Sequence, residues 1–245
     1  HDIVESSHAS SSLSWADGIA RAYKATGQSN RHVVAVIGDG ALTGGMAWEA
    51  LNNITDDNDR NLVIVVNDNG RSYAPTIGGL AKTLNGIRTE SWYRKGYNAS
   101  RSAFYSLGAP GRAIFDSVRA AGKTVLRSQS PGIFPNLNIK YIGPVDGHNL
   151  EAMEEALTQA KNYGAPVIVH AVTQKGKGYD PAISDQADQF HAVGQIDPES
   201  GLPIKASAGR SWTGVFSEEI LDIARENPKV VGITGAMLIP VGLNK

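Results

Sequence analysis

The chain has 245 residues, 41% of them hydrophobic, with a formal net charge of −1 and no cysteine. That length suits one large α/β domain or one and a half, and the balanced charge offers nothing to recruit nucleic acid or a membrane surface. The lack of cysteine excludes disulfides, thiolate metal sites and a cysteine nucleophile, and no membrane span or signal peptide is recognisable, so the expectation is a cytosolic enzyme.

In chain order, Ser10, Ser11 and Ser12 are expected to cap a first helix. Its apolar residues Leu13, Ala16, Ala20 and Tyr23 recur on one face until Gly27. His8, just ahead of it, reads either as a ligand-touching residue or as a capping or surface histidine. A β-branched strand over 32–37 then delivers Gly38-Asp39-Gly40. A second helix follows, with Thr43 as its expected cap and Ala47, Ala50, Leu51 and Ile54 inward. Met46 and Trp48 read as core filling. Asp56, Asp57 and Asp59 read as a solvated loop at the helix exit, on the far side of the sheet from Asp39. A second strand over 62–66 delivers Asn67-Asp68-Asn69.

The chemistry of this strand, helix, strand unit follows from its ends. Ligands of parallel sheets sit beyond the carboxyl ends of the strands, and positions 41–66 are the length of one crossover. Asp39 and the asparagine triplet are therefore expected to face one pocket. Magnesium takes oxygen ligands, one or two from protein and the rest from phosphate and water. Glycines at 38 and 40 permit close backbone approach, and a helix start near Thr43 would offer amide donors to phosphate. The expected ligand is a magnesium-bound diphosphate, although G-D-G or N-D-N alone is a common turn.

From 70 to 130, Arg71, Lys82, Arg88, Arg94, Lys95, Arg101, Arg112, Arg119, Lys123 and Arg127 face only Glu90 and Asp116. This is either a mobile cationic flap over a phosphorylated substrate or a solvated insertion. A strand over 139–142 and a turn over 143–148 precede a helix capped by Asn149, with Met153, Ala156, Leu157 and Ala160 inward. Residues 166–172 read as a buried parallel strand. After it, Lys175-Gly176-Lys177-Gly178 is either a phosphate-embracing segment or a flexible loop, and Tyr179 is placed to pack on a cofactor ring. A linker over 201–211, a helix over 212–224 and a strand over 230–234 complete the reading. The sequence opens on His1 and stops at Lys245, neither a natural-looking terminus, so a fragment is expected.

The spacing of G-D-G and N-D-N resembles the thiamine diphosphate fingerprint. With Y-I-G-P-V-D-G-H at Tyr141–His148, K-G-K-G-Y-D-P-A at Lys175–Ala182 and F-H-A-V-G at Phe190–Gly194, the chain resembles the 1-deoxy-D-xylulose-5-phosphate synthase family. The resemblance implies an α/β fold, a mostly parallel sheet with helices on both faces. Residues 1–200 would form a diphosphate- and magnesium-binding domain, 201–211 a linker and 212–245 the truncated start of a pyrimidine-binding domain. It further implies a transferase of the isoprenoid and thiamine pathways that uses thiamine diphosphate and Mg2+ to join pyruvate to D-glyceraldehyde 3-phosphate, as a cytoplasmic homodimer.

By the same resemblance, Asp39 and Asn69 would hold magnesium with the Arg71 carbonyl, while Gly40 and Ala41 would contact the diphosphate. Tyr179 would contact the cofactor, Ser7, His8 and Ala9 would line its pocket, and His8 would be the catalytic candidate. The sequence alone does not choose Asn69 over Asn67. The family's activating glutamate belongs to its later domain, so this stretch alone is expected to be inactive. The alternatives are another transketolase-type enzyme, which the F-H-A-V-G and G-P-V-D-G-H segments disfavour, and a non-catalytic ligand-binding module.

Overall fold

Three β-branched runs make up most of a four-stranded sheet in the computed structural model, which describes residues 3–4, 8–79, 82–84, 108, 137, 139–204, 209–235 and 237–244. The strands are β1 (Val33–Gly38), β2 (Leu62–Asp68), β3 (Lys140–Asp146) and β4 (Val167–Val172), in the spatial order β1-β2-β4-β3 with every pair parallel. Between them lie α1 (Ser12–Ala25), α2 (Asp39–Leu42), α3 (Gly45–Asp56) and α4 (Leu150–Lys161), and α5 (Asp180–Ser184) and α6 (Trp212–Glu226) follow.

The chain divides into two compact units, residues 1–68 with 77–173, and residues 69–76 with 174–245. The first unit carries the whole sheet. Strands β2 and β4 are buried along almost their whole length, as strands covered on both faces must be. Ile64, Val66 and Ile168 face α1 and α3 through Leu13, Ala47, Leu51 and Ile54. Val63, Val65, Val167 and Val169 face the other way, onto Ala156 and Ala160 of α4. Helices on both faces of a parallel sheet is the expected α/β architecture.

Several local expectations are corrected. The serines do not cap α1: Ser10 is buried with φ 70° and donates its hydroxyl to the Ala41 carbonyl at 2.6 Å, and Ser11 bonds back to the His8 carbonyl at 2.9 Å. Thr43 does not cap the second helix. It ends α2, donating to the Gly40 carbonyl at 2.7 Å, and α3 starts after Gly44. A Cβ on Gly44 would lie 2.1 Å from the Ser10 hydroxyl oxygen, so only glycine fits there. Met46 and Leu157 are exposed rather than core, because each lies at the flank of its helix's apolar stripe, whereas Trp48 packs partly against the core.

The 139–148 region also differs. β3 runs on to Asp146 through a cis Gly143-Pro144 bond, where a turn was expected. Pro144 lacks an amide donor, and the strand absorbs it with a register shift between Ile142 and Val145 at the sheet's edge. The helix cap there is as expected: Asn149 accepts from the Ala152 amide at 3.1 Å.

In the second unit, α6 is capped by Ser211, which accepts from the Gly214 amide at 3.0 Å. Residues 230–234 form no strand. Val231 and Ile233 are 80% and 92% exposed, and no strand among the described residues of that unit lies beside them to take their backbone hydrogen bonds. Of the cationic run over 70–130, the residues from Arg88 to Arg127 lie outside the described residues.

The acidic patch is not simply solvated. Lys24 of α1 reaches Asp59 at 2.9 Å and Asp57 at 3.6 Å. Arg60, only 4% exposed, joins Asp17 of α1 at 2.6 Å and the carbonyls of Asn53 and Ile54, the last turn of α3, at 3.3 Å each. This guanidinium ties α1 to α3 just before β2 starts. Asp17→Ala removes the nearer, buried carboxylate and leaves only the half-exposed Asp57 at 3.2 Å, so the expected cost is about 1–3 kcal/mol of unfolding free energy. Urea denaturation reads this directly, and a replacement of both partners by apolar residues of similar volume is expected to recover most of the loss.

Candidate functional site

The register of the first unit sets out its chemistry. Gly38 of β1 pairs with Asn67 of β2, and Asp68 pairs with Val172 of β4, so three strands end level with one another. Asp39 is the first residue of α2, directly after β1, and is 2% exposed. Gly40 and Ala41 follow it in the same turn, half-buried. Asn67 is already engaged, its side-chain oxygen accepting from the Thr173 hydroxyl at 2.6 Å.

The same strand ends hold a buried polar chain. Asp68 is 1% exposed and His170 0%. The His170 Nε2 lies 2.9 Å from an Asp68 carboxylate oxygen, and its Nδ1 lies 2.6 Å from the Tyr141 hydroxyl. A carboxylate only accepts, so Nε2–H donates to Asp68. Burial, with the Asp68 charge adding to it, pushes the Tyr141 hydroxyl above its ordinary range. Tyr141 therefore keeps its proton, and its hydroxyl shares the hydrogen bond with Nδ1.

The second unit begins at Asn69, whose side-chain oxygen accepts from the Arg71 amide at 3.1 Å. The Arg71 guanidinium donates to the Ala187 carbonyl at 2.6 Å, but its Nε is buried with no hydrogen-bond partner among the described residues. The Tyr179 hydroxyl is in the same condition, and its ring meets Phe190 edge-on at 6.0 Å. Both are donors that a buried acceptor would satisfy.

Lys175 donates to the Ser72 and Asp188 carbonyls at 2.6 and 2.8 Å, and its Nζ lies 3.0 Å from the His191 Nδ1. An ammonium has no lone pair, so Nδ1 accepts and the His191 proton sits on Nε2. The Tyr73 ring lies against the same imidazole, centroids 4.1 Å apart.

Of the residues expected from sequence, Asp39, Gly40 and Ala41 come together in one turn of the first unit, and Asn69, Arg71 and Tyr179 lie in the second. His8 and Ala9 are exposed, and Ser7 lies outside the described residues. No group of three His, Cys, Asp or Glu side chains among the described residues is arranged to hold a metal, so a cation here would rely on amide, carbonyl and ligand oxygens beside Asp39. A cleft lined by Tyr23, Lys24, Arg31, Asp59 and Arg60 lies at the opposite end of the strands, and its cations are held by carboxylates or the Tyr23 ring.

Sequence reasoning missed Tyr141, His170 and His191 as contributors, and read Asp68 only as part of the triplet and Lys175 only as a phosphate-embracing candidate. One signal was available: a histidine inside the buried run V-I-V-H-A-V needs a partner for each ring nitrogen.

The family model for 1-deoxy-D-xylulose-5-phosphate synthase matches residues 1–173. The chain is 67% identical to the 1-deoxy-D-xylulose-5-phosphate synthase of Leifsonia xyli and 64% to that of Clavibacter sepedonicus, in each case over 100% of this chain and 38% of the relative. It is 55% identical, at the same coverage, to 1-deoxy-D-xylulose-5-phosphate synthase 2 of Streptomyces coelicolor. The chain thus spans 38% of the length of these relatives.

The His191 geometry carries a pH prediction. Burial first, and then the Lys175 charge, lower its pKa from the ordinary 6.5, against a smaller opposing pull from Asp188. The neutral ring is the one the fold favours, so this contribution is complete above the unfolded value and lost as pH falls through the lowered folded one. NMR titration should place the His191 midpoint below 6.5, and Lys175→Met should move it part of the way back up. No movement in that variant would leave burial as the sole cause.

Proposed function

Because this chain belongs to the 1-deoxy-D-xylulose-5-phosphate synthase family, we propose that it contributes the magnesium–diphosphate wall of an enzyme that condenses pyruvate with D-glyceraldehyde 3-phosphate to 1-deoxy-D-xylulose 5-phosphate and CO2. The observation that carries this reading is the buried Asp39 carboxylate immediately after β1, on a strand whose end is level with the N-D-N end of β2. In this reading the protein is a cytoplasmic homodimer at the first step of the non-mevalonate isoprenoid route, and the whole protein, not this stretch alone, turns over. Thiamine diphosphate, when bound, supplies the carbon nucleophile for decarboxylation and ligation.

The residues present fit that cofactor. Asp39, the Asn69 side-chain oxygen and the Arg71 carbonyl are hard oxygen donors of the kind magnesium takes. Both asparagine oxygens accept a hydrogen bond, Asn67 from the Thr173 hydroxyl and Asn69 from the Arg71 amide, so the choice of Asn69 rests on the family resemblance. In this reading Gly40 and Ala41 would present backbone to the diphosphate, and His8 and Ala9, with Ser7 by the family resemblance, would line the pocket. The buried Tyr179 hydroxyl and Arg71 Nε, which have no hydrogen-bond partner among the described residues, are donors a ligand oxygen would satisfy. His8, exposed at the chain's approach to α1, is the candidate for contact with substrate oxygen.

Titration of the full-length protein with thiamine diphosphate, with and without magnesium, tests the reading. Binding should require magnesium, and Asp39→Ala should weaken it at least tenfold. The 245-residue chain by itself should form no deoxyxylulose phosphate from the two substrates. Magnesium-independent binding, or Asp39→Ala binding like the parent, would refute the site.

A further inference from the structure

Both places where the chain passes from the first compact unit to the second follow a strand end: Asp68 to Asn69 after β2, and Thr173 to Gln174 after β4. The two exits are bound to each other within the first unit. The Thr173 amide donates to the Asp68 carbonyl at 2.9 Å, and its hydroxyl donates to the Asn67 side chain at 2.6 Å. The Asp68 side chain is gripped separately by His170, which is in turn held by Tyr141.

The third strand is shaped to this chain. Ile142 pairs with Val169 and Val145 with Ala171, so Gly143 and Pro144 together stand opposite the single residue His170. A Cβ on Gly143, whose φ is 143°, would come within 2.9 Å of both the Cβ and the carbonyl oxygen of His170. The bulge therefore brings β3 as close to His170 as a bare glycine backbone allows, and its irregular register sits next to the imidazole that Tyr141 holds. Bulges placed like this aim side chains.

We propose that Tyr141, His170 and Asp68 form a positioning relay for the magnesium site, fixing the strand end from which Asn69 departs. The relay rests on the magnesium–diphosphate reading of Asp39 and Asn69. None of its three members is one of the proposed ligands; they act through the backbone that carries Asn69. Outer partners that orient metal ligands commonly change metal affinity 10- to 100-fold when removed. The hydroxyl of Tyr141 is the cleanest one to remove, because Phe keeps the ring.

The test uses the full-length protein, with magnesium chloride titrated at fixed thiamine diphosphate and binding read by calorimetry. Tyr141→Phe should raise the magnesium Kd about tenfold or more, and high magnesium should restore cofactor binding. Asp68→Asn, which keeps the side-chain shape, should do the same if the first variant folds poorly. Ile54→Val, a core change on the same face of the sheet, supplies a matched loss of stability away from the relay and should leave the Kd unchanged. Equal Kd values for Tyr141→Phe, Asp68→Asn and the parent would overturn the relay, as would an equal weakening by Ile54→Val. If Asp39→Ala also left the Kd unchanged, the magnesium reading itself would fail, a result separable from failure of the relay alone.

Discussion

The parallel register of β1, β2 and β4 is the constraint on which the other features of the first unit depend. Because Gly38 stands level with Asn67 and Asp68 with Val172, two acidic residues from different strands reach one edge of the sheet without any long loop to place them. The register is held from both faces. A one-residue slip of β2 would exchange the Ile64 and Val66 contacts with α1 and α3 for the Val63 and Val65 contacts with α4, and would turn Asp68 away from His170. Hydrophobic packing in the middle of the strands therefore fixes polar geometry at their ends.

The polar groups at that edge show the other half of the balance. A carboxylate removed from water costs several kcal/mol unless charge-assisted hydrogen bonds replace the lost hydration. Asp68, at 1% exposure, receives one from His170, whose own second nitrogen is satisfied by a tyrosine that burial keeps protonated. Arg60 and Asp17 solve the same problem at the other end of the strands, using helix carbonyls as additional acceptors. The second unit keeps donors of the opposite kind. The Tyr179 hydroxyl and Arg71 Nε are buried without an acceptor among the described residues, and a ligand oxygen or an ordered water would satisfy them.

Much of this was legible in the sequence, for identifiable reasons. Strands β1, β2 and β4 declare themselves as β-branched runs, and Asp39 and the asparagines are read from their places at the ends of those runs. The Asn149 cap and the helix after Ser211 follow from local chemistry alone. What was not legible depends on distant partners. Ser10 looks like a cap and instead binds Ala41, a residue 31 positions away. The strand expected over 230–234 has the composition of one, but a strand is completed by its neighbour, and none is present among the described residues. His170 and Tyr141 are linked across 29 positions, and Asp68 and His170 across 102. No periodicity within a single segment encodes such a pairing.

The break between the two compact units runs through the N-D-N triplet itself. Asn67 and Asp68 belong to the sheet, and Asn69 belongs to the unit that also carries Arg71 and Tyr179. The three residues consequently answer to different physics despite their adjacency. Asn67 and Asp68 are spent on Thr173 and His170 and have become part of the scaffold. Asn69 closes a turn in which its side-chain oxygen accepts from the Arg71 amide. A motif that reads as three equivalent polar residues is thus divided into two that are bonded within the sheet unit and one that turns onto the segment following it, and Tyr141, His170 and the bulge at Gly143 stand behind Asp68.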